Sequence, residues 1–585
     1  MSTDVAISLN APTTQTSAKS FVSHAKLIGF ITFISRILGM ARESIAANYF
    51  GANAVYSAFT FAFTIPNLFR KLLGEGALSA AFIPLYAQAV KRKNSSGEPA
   101  SAGGSGSGGA GLSANDFAAA SVNLLCAILL ALTVVGELLL VAVIAFIPMR
   151  PDRLLAMQLI MIMLPYVLLV CGAAFLGSIL QVHQRFAAIT FTAVVSNVCL
   201  IIAMVIAAKV YDLHSDAGQL SAVRWLSVSV LVAGIFQLAI LLPSLRAVGF
   251  RFHAMLHFMT PAVRKMVRMT IPVALSAGVL QISTLMDKAI AFYLSRTSGS
   301  THMSLFGHVL SLPMAEGATQ RLNWAQFMYQ FPLGVFAIAL ATAIFPKLSA
   351  DAHDLTAGQS AASPGARTVS DDFKSVLRHG VEASLFIGLP ASIGMIVVRY
   401  PAVQLLFQHG SFTPGDTRLV ALSTAIYSAA IWAFSLQQIL NRAYYALHDT
   451  FTPLIWAIVN LAINTVIELP LLWTSLHECG MAVGTLVSFA IQAVLMLWML
   501  DRRCGGLDLR KSFAPIAKMV IASALMLLGC VAVQHSPLYP HGAHKLTWAI
   551  QLSLLMGVGG LVYFVACALM GMNVMEHLPK RRKRA

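Results

Sequence analysis

Charged residues are scarce in this sequence. They make up 11% of its 585 residues, whereas 57% of the residues are hydrophobic. A soluble protein carries about 25% charged residues, so this chain could not cover its apolar surface with groups that water solvates. The composition therefore excludes an ordinary soluble protein and indicates that the lipid bilayer is its solvent.

Patterned cysteines and enzyme motifs are also missing. The seven cysteines are scattered and form no C-x-x-C pair, which argues against a disulfide framework and against a zinc site. The sequence has no G-x-S-x-G and no H-E-x-x-H motif, so we expect no enzyme activity and no organic cofactor. Residues 1–20 form a polar N-terminal tail without the regions of a cleavable signal peptide.

Long apolar runs follow one another along the chain. A helix that spans a bilayer needs about 20 predominantly apolar residues. About fourteen such runs occur, near residues 25–50, 54–88, 117–148, 154–182, 186–208, 223–245, 267–294, 322–346, 378–398, 419–441, 453–474, 480–500, 513–533 and 547–571. We therefore predict an all-α polytopic membrane protein with about 14 transmembrane helices.

Basic residues are concentrated in every second loop. One set of loops and both termini hold about 24 lysines and arginines, and the other set holds about 9. Cytoplasmic loops are the more basic ones, so we expect a protein of the cytoplasmic membrane with both termini in the cytoplasm. The net charge of +17 is explained by these loops and by their contact with anionic membrane lipids, and we expect no nucleic-acid partner.

An internal repeat is visible in the second and eighth spans. Residues 65–84 and 331–346 both run from an apolar residue and proline, through small residues, to a second proline. Because the copies are six spans apart, they share one orientation, which predicts two parallel six-helix bundles around a central cavity plus two extra C-terminal helices. The expected domains are an N-lobe at 21–248 with a flexible Gly/Ser-rich linker at 92–114, a C-lobe at 249–505, and spans 13–14 with a basic tail at 506–585.

The first two spans contain charges at bilayer depth. The first carries Arg36, Arg42 and Glu43, and the second carries Arg70 and Glu75. Such charges cost at least about 2.5–3.5 kcal/mol each and normally face a cavity or a partner. Since arginine binds phosphate in a bidentate manner, this cluster predicts an anion site. Snorkelling to the interface, or pairing with the two glutamates, is the alternative.

A second polar group lies in the seventh and eleventh spans. Asp287 and Lys288 are adjacent in the seventh, and Asn460, Asn464 and Glu468 follow one helical face in the eleventh. Carboxylate and amide oxygens in a membrane are ligands of hard cations or carriers of protons. An ion pair between Lys288 and Glu468, or hydrogen bonds between helices, would also explain them.

Several of these segments resemble one family of membrane transporters. The residues SRILGMARES at 35–44 and PNLFRKLLGEGALSAAFIP at 66–84 are similar to the N-terminal signature of the MurJ (MviN) lipid II flippases. These belong to the superfamily of multidrug, oligosaccharidyl-lipid and polysaccharide exporters. The resemblance continues through LGSILQVHQRF at 176–186, QFPLGVFAIALATAIFPKLS at 330–349, LFQHGSF at 406–412 and NRAYYALHDTFTP at 441–453.

The resemblance implies a function and a set of site residues. Such flippases move the lipid-linked peptidoglycan precursor, lipid II, from the inner to the outer leaflet, and we expect alternating access by a functional monomer. Arg36, Arg42 and Arg70 match the cavity arginines of the family, and Glu43 matches an acidic position beside them. Some members bind sodium, and Asp287, Asn464 and Glu468 resemble the positions of that site. The last two spans would hold the lipid tail.

Two positions depart from the family pattern. An acidic residue is common where this chain has Ser57, and an Asp-Arg or Glu-Arg pair is common where it has Gln326 and Phe327. One cation of the C-lobe is therefore missing. We expect Arg321, which lies six residues before Phe327, to contact the substrate near the external side. A solvated arginine at a helix start is the alternative.

Other functions compete with this hypothesis. A drug or oligosaccharide-lipid exporter would use the same fold, and a carboxylate-rich site in the N-lobe would favour drug export. A membrane scaffold without a transport cycle is a further alternative. Accumulation of lipid-linked peptidoglycan precursor after depletion of the protein would separate the flippase from both.

Overall fold

The architecture is almost entirely helical. The structure, a computed structural model, describes residues 14–96, 113–255, 259–297, 299–305, 308–334, 340, 348 and 370–572. Residues 97–112 of the expected linker, most of the second repeat copy and the basic tail with Lys580 and Arg584 lie outside the described residues.

The described N-terminal half consists of helices. Its order is α1 (Thr14–Phe50), α2 (Ala54–Phe69), a π-helical segment (Arg70–Ala77), α3 (Leu78–Ser96), α4 (Ala114–Phe146), α5 (Pro151–Met163), α6 (Tyr166–Val182), α7 (Phe186–Val210) and α8 (Asp216–Ala247). Ser113 and Ser215 cap α4 and α8 by accepting backbone N–H groups.

The C-terminal half adds a small hairpin to its helices. Its elements are α9 (Pro261–Tyr293), β1 (His302–Leu305), β2 (His308–Ser311), α10 (Ala318–Pro332), α11 (Asp371–Phe407), α12 (Pro414–Ser428), α13 (Ile431–Ala446), α14 (Phe451–Leu472), α15 (Cys479–Arg503), α16 (Arg510–Gln534) and α17 (Lys545–Leu569). The two strands pair antiparallel, with His302 opposite Ser311.

The described helices overlap the predicted spans, although several are longer: α1 begins 11 residues before its predicted span, and α11 ends 9 residues after its own. Among the described residues, eight helices are long and apolar enough to cross a membrane, or up to ten if each of two bent pairs counts as one span. The bent pairs are α5–α6, at 45°, and α12–α13, at 41°. The prediction of an all-α polytopic membrane protein is confirmed. The helices of predicted spans 1 and 2 carry the membrane-depth charges identified above.

The second predicted span is interrupted by a π-helical segment. Pro66 removes one backbone donor from α2, and the wider turns begin four residues later, at Arg70. Single π-helical turns are rare and occur mostly at functional sites. Leu333 and Gly334, which follow Pro332 in the second repeat copy, are also π-helical. The two copies therefore share a local distortion as well as a sequence pattern.

The chain forms two compact units whose boundaries differ from the expected lobes. The first unit comprises Met1–Arg42, Ala62–Pro148 and Met157–Ala277, and the second comprises Glu43–Phe61, Met149–Ala156 and Gly278–Ala585. The main division therefore follows residue 277 instead of residue 248. The described helices of predicted spans 13 and 14 belong to the second unit, where Tyr563 Oη donates to the Phe386 carbonyl at 2.8 Å.

The turn between α1 and α2 packs as part of the second unit. Thr60 Oγ1 donates to Gln320 Oε1 at 2.7 Å. Gly317 has a φ of +77°, and a Cβ at that position would lie 2.1 Å from the Ala52 carbonyl oxygen. A side chain there would therefore prevent the approach of the two backbones. These contacts explain why residues 43–61 separate from the rest of the N-terminal half.

Candidate functional site: an arginine cavity and a carboxylate cluster

A cavity of about 440 Å³ lies within the first unit. Its polar lining consists of one guanidinium, several hydroxyl groups and two amides, and among the described residues it includes no carboxylate. The lining residues are Thr32, Ser35, Arg70, Ser79, Ile83, Val170, Ala173, Ala174, Gln181, Ile189, Thr190, Thr192, Ala193 and Gln237. A cavity with one permanent cation and many neutral hydrogen-bonding groups suits a polar anion.

Arg42 is oriented by a polar residue of α7. Its Nη1 donates to Asn197 Oδ1 at 3.1 Å, and Asn197 Nδ2 donates to the Ser35 carbonyl at 3.1 Å. Since Ser35 also lines the cavity, Asn197 connects Arg42 to the residues around Arg70. The sequence reasoning missed Asn197, although an asparagine within the apolar run of α7 is a signal for a buried polar contact.

Arg36 is the most available of the three cations. It is half-buried in α1, and its guanidinium has no hydrogen bond or ion pair with any residue that the structure describes. Pairing with Glu43, which the sequence left open, therefore does not explain Arg36. A half-buried guanidinium at this depth is expected to have an anionic ligand or to face water.

Arg70 occupies the first position of the π-helical segment. A π-helix has a smaller rise per residue along its axis than an α-helix. The side chains that follow α2 therefore point in different directions from those that a continuous α-helix would give. The result is an arginine side chain at the cavity. Glu75 belongs to the same segment, but its side chain lies outside the described part of the structure.

The surroundings of Glu43 differ from those of Arg36, Arg42 and Arg70. It belongs to the second unit, it is only 6% exposed, and its Oε2 accepts a hydrogen bond from Trp324 Nε1 at 3.1 Å. Trp324 is fully buried against Phe407 and Phe412. This geometry gives Glu43 a packing role and provides no support for the predicted contact with substrate.

Arg321 is also placed differently from the prediction. It is 4% exposed, and its guanidinium donates to both carboxylate oxygens of Glu478, at 2.8 and 2.6 Å. It also donates to Asp416 Oδ1 at 3.3 Å and to the Glu316 carbonyl at 2.8 Å. The alternative of a solvated arginine is wrong. Because most of its donors are used within the protein, we assign Arg321 to stabilisation of the second unit instead of to substrate binding.

The predicted cation-binding residues lie together in the second unit. Asn464 Nδ2 is 3.1 Å from Asp287 Oδ1 and 3.0 Å from Glu468 Oε2. Asn464 and Glu468 are buried at 3% and 0% exposure. The amide nitrogen therefore lies between two carboxylates, at the position that a shared cation would need.

Free oxygen atoms remain at this carboxylate cluster of Asp287, Asn464 and Glu468. Asn464 Oδ1 and Glu468 Oε1 are buried and have no hydrogen-bond partner among the described residues. Lys288 donates to Asn323 Oδ1 at 3.1 Å, so the ion pair with Glu468 that the sequence left open is not the arrangement found. The described residues contain no group of three His, Cys, Asp or Glu side chains suited to a metal, so a cation here would depend on amide oxygens.

Comparison with known proteins decides the family. Residues 46–550 match the family model described as lipid II flippase MurJ. The chain belongs to the MurJ family. It is 29% identical over 561 residues to a probable lipid II flippase MurJ of Rhizobium tropici, which covers 94% of this chain and 95% of the relative. A probable lipid II flippase MurJ of Vibrio cholerae is 27% identical over 581 residues, or 96% and 98% of the two chains.

Solved structures support the same fold. A lipid II flippase MurJ in an inward closed conformation superimposes with a TM-score of 0.69 at 21% identity, covering 93% of this chain and 98% of that one. An inward-facing multidrug-resistance MATE transporter gives a TM-score of 0.60 at 12% identity, covering 83% and 99%. At these identities the likeness concerns the fold alone. MurJ proteins are transporters, so the expectation that this chain is not an enzyme is confirmed.

Gln326 is one of the two residues noted above as departures from the family pattern. Its Nε2 donates to Tyr427 Oη at 3.3 Å. Tyr427 is 1% exposed. Gln326 is therefore part of a half-buried hydrogen bond in the second unit.

Proposed function

We propose that this chain flips lipid II by binding its pyrophosphate and sugar headgroup through Arg36, Arg42 and Arg70. The observation that supports this most strongly is the half-buried Arg36, which has no partner among the described residues. It follows Ser35, which lines a cavity together with Arg70 and no described carboxylate. Arginine retains its charge at every physiological pH and presents paired donors to phosphate oxygens. The cavity hydroxyls and amides supply hydrogen bonds of the kind that sugars and amides need.

The orientation in the membrane forms part of the proposal. The excess of basic residues in alternate loops favours a chain with both termini in the cytoplasm of a cell whose inner membrane it crosses many times. A single chain contains both units, so we propose a functional monomer that contacts lipid II and membrane lipids but no nucleic acid. A cysteine introduced at 97–112 should be labelled in inverted vesicles and protected in intact cells, and efficient labelling in intact cells would contradict this topology.

Coupling to a cation is proposed at the second unit. As the atoms are placed, Asn464 donates to both carboxylates through Nδ2. Rotation of the amide by a half turn would place Oδ1 there instead, and O and N of an amide are exchanged by such a flip. Three oxygen-bearing side chains would then surround a hard cation such as Na⁺. The unpartnered oxygens of Asn464 and Glu468 support this arrangement.

Drug export on the same fold is the second candidate function. The likeness to MATE transporters, at a TM-score of 0.60, favours it at the level of the fold. A cationic drug needs carboxylates in its binding cavity, whereas the described lining of the first-unit cavity has an arginine and none. The electrostatics of that cavity therefore favour an anionic substrate.

Complementation of a flippase-depleted strain tests the proposal. Alanine at Arg36, Arg42 or Arg70 should abolish growth and cause lipid-linked peptidoglycan precursor to accumulate, while the protein still inserts. Lysine should restore growth only in part, because a point charge does not reproduce the bidentate fork. Arg224, an exposed arginine of the same unit that contacts Gln158, is the matched control, and Arg224→Ala should grow normally. Normal growth of all three alanine variants would overturn the anion site.

A further inference from the structure

A second cavity, of about 360 Å³, lies at one end of the second unit. It is bounded by the end of α13, the start of α14 and the end of α15, and its lining residues are Tyr444, Thr452, Trp498, Met499, Arg502 and Arg503. The proposed topology puts these helix ends at the cytoplasmic face. The cavity shares no lining residue with the arginine cavity or with the carboxylate cluster.

Two arginines give this cavity a net positive charge. Arg503 forms an ion pair with Asp449 in the turn before α14, so these two charges compensate each other. Arg502 stacks on Trp498, with its Cζ 3.9 Å from the ring centroid. Its side chain makes no ion pair or hydrogen bond with any described residue, so its N–H donors remain for a ligand. A stacked guanidinium is held in one orientation and presents its edge to an anion.

Exposed apolar side chains, called the apolar border below, lie on α14 and α15, two of the helices that line the cavity. Leu495 and Trp498 lie three residues apart on α15, and Phe451 and Ile455 lie four apart on α14, so each pair follows one helical face. They are 36%, 48%, 68% and 43% exposed, respectively. Apolar faces of membrane-spanning helices are covered by acyl chains. The cavity is therefore open to a molecule that joins an anionic group to an acyl chain.

We propose that this cavity binds the headgroup of an anionic phospholipid of the membrane leaflet at that end. The phosphate would bind the edge of the Arg502 guanidinium, with Trp498 at the level of the interface, where tryptophan is enriched. Basic cavities between transmembrane helices are established sites for anionic headgroups. A free phosphate would gain nothing from the apolar border, which is why the chemistry favours a lipid.

Binding at this position would hold three helices together. Asp449 accepts the backbone N–H groups of Phe451 and Thr452 and so caps α14. Arg503 connects that cap to α15. A lipid phosphate on Arg502 would add a contact in the same turn of α15, so the lipid should stabilise this end of the second unit.

Quenching of Trp498 fluorescence tests the proposal. The full-length protein is reconstituted in phosphatidylcholine vesicles that contain either bromine-labelled phosphatidylglycerol or bromine-labelled phosphatidylcholine. The chain has seven tryptophans, so the Trp498 signal is obtained as the difference between the wild type and Trp498→Phe. We expect phosphatidylglycerol to quench this signal at lower mole fraction than phosphatidylcholine. Arg502→Gln should weaken the preference about tenfold, as expected for loss of a charge-assisted hydrogen bond.

A control variant distinguishes binding at a specific site from attraction of the lipid by general surface charge. Arg510, at the start of α16, is exposed and does not line the cavity, so Arg510→Gln should keep the preference. Inorganic pyrophosphate added to the vesicles should not displace the lipid. Equal quenching by both lipids, an equal loss in Arg502→Gln and Arg510→Gln, or full displacement by pyrophosphate would overturn the proposal. Circular dichroism of each variant verifies that the helices are intact.

Discussion

The two units of this chain are both helical, but they differ in the groups that surround their buried charged side chains. The first unit has Arg70 in the lining of a cavity, and Arg36 has no protein partner among the described residues. The second unit encloses Arg321 among Glu478, Asp416 and a carbonyl, and it keeps a separate group of carboxylates. The two units thus differ in the partners of their arginines, and the substrate-binding role that we propose applies to those of the first unit.

The largest expected effect on stability comes from Arg321. Removing one partner of a buried ion pair leaves uncompensated charge and costs about 3–5 kcal/mol. Arg321→Ala should therefore lower the yield of folded protein and its midpoint of thermal unfolding, whereas Arg36→Ala should change neither. Thermal unfolding of the purified proteins measures this.

Two further variants sharpen that result. Arg321→Met combined with Glu478→Leu should recover part of the stability, because a buried ion pair can be replaced by apolar residues at little cost. Arg418, an exposed arginine of α12, is the matched control, and its alanine variant should unfold like the wild type. If Arg321→Ala is as stable as Arg418→Ala, the contrast between the two units is lost.

Sodium should stabilise the second unit through its carboxylate cluster. A ligand present at a hundred times its dissociation constant adds about 2.7 kcal/mol to folding stability. We expect a higher unfolding midpoint in sodium chloride than in choline chloride at equal ionic strength. Glu468→Gln and Asp287→Asn should abolish this difference. A sodium effect that persists in both variants would place the cation elsewhere.

Gly484 provides an independent test of the same cluster. A Cβ at this position would lie 2.9 Å from Glu468 Cβ and 3.1 Å from Asn464 Oδ1, so Gly484→Ala must displace the cluster, at about 1–3 kcal/mol. It should also reduce the sodium effect. Gly557, a helical glycine of α17 with open space around it, is the control, and Gly557→Ala should be neutral or slightly stabilising. Equal behaviour of the two variants would contradict the packing argument.

The smallest effect is expected at Asp449, in the turn before α14. Burial alone would raise its pKa, but hydrogen bonds from Thr452 and the charge of Arg503 outweigh burial and lower the pKa. A depressed folded-state pKa means that the stabilisation is present above the unfolded pKa, near 3.9, and is lost as the pH falls through the folded value. Asp449→Ala should cost about 1 kcal/mol at neutral pH, as for loss of a helix cap. The wild type and the variant should converge in stability below about pH 4. A constant difference across that range would contradict the assignment.

The sequence predicted the positions of the helices better than it predicted which side chains contact one another. Apolar length is sufficient to locate the spans, because a helix must cross a bilayer of fixed thickness. The eleventh-span spacing of Asn464 and Glu468 also predicted their shared face correctly. The sequence did not reveal the buried pairing of Arg321, because its partners, Glu478 and Asp416, are 157 and 95 residues away in sequence. Pairing at that separation is a tertiary property, and a local pattern does not contain it.

The division into units was another tertiary property. Charge and periodicity give no sign that residues 43–61 pack with the C-terminal half. That assignment depends on the backbone approach at Gly317 and on the hydrogen bond of Thr60 with Gln320. Glu43 adjoins Arg42 in sequence, yet the two residues fall on opposite sides of a unit boundary.

Binding of lipid II to purified protein tests the central claim most directly. The account predicts that Arg36→Ala weakens the affinity about tenfold or more, since a charge-assisted hydrogen bond is lost, with an unchanged unfolding midpoint. Arg36→Lys should lie between the wild type and the alanine variant. An affinity of Arg36→Ala equal to that of the wild type would contradict the assignment of the first-unit arginines to the headgroup.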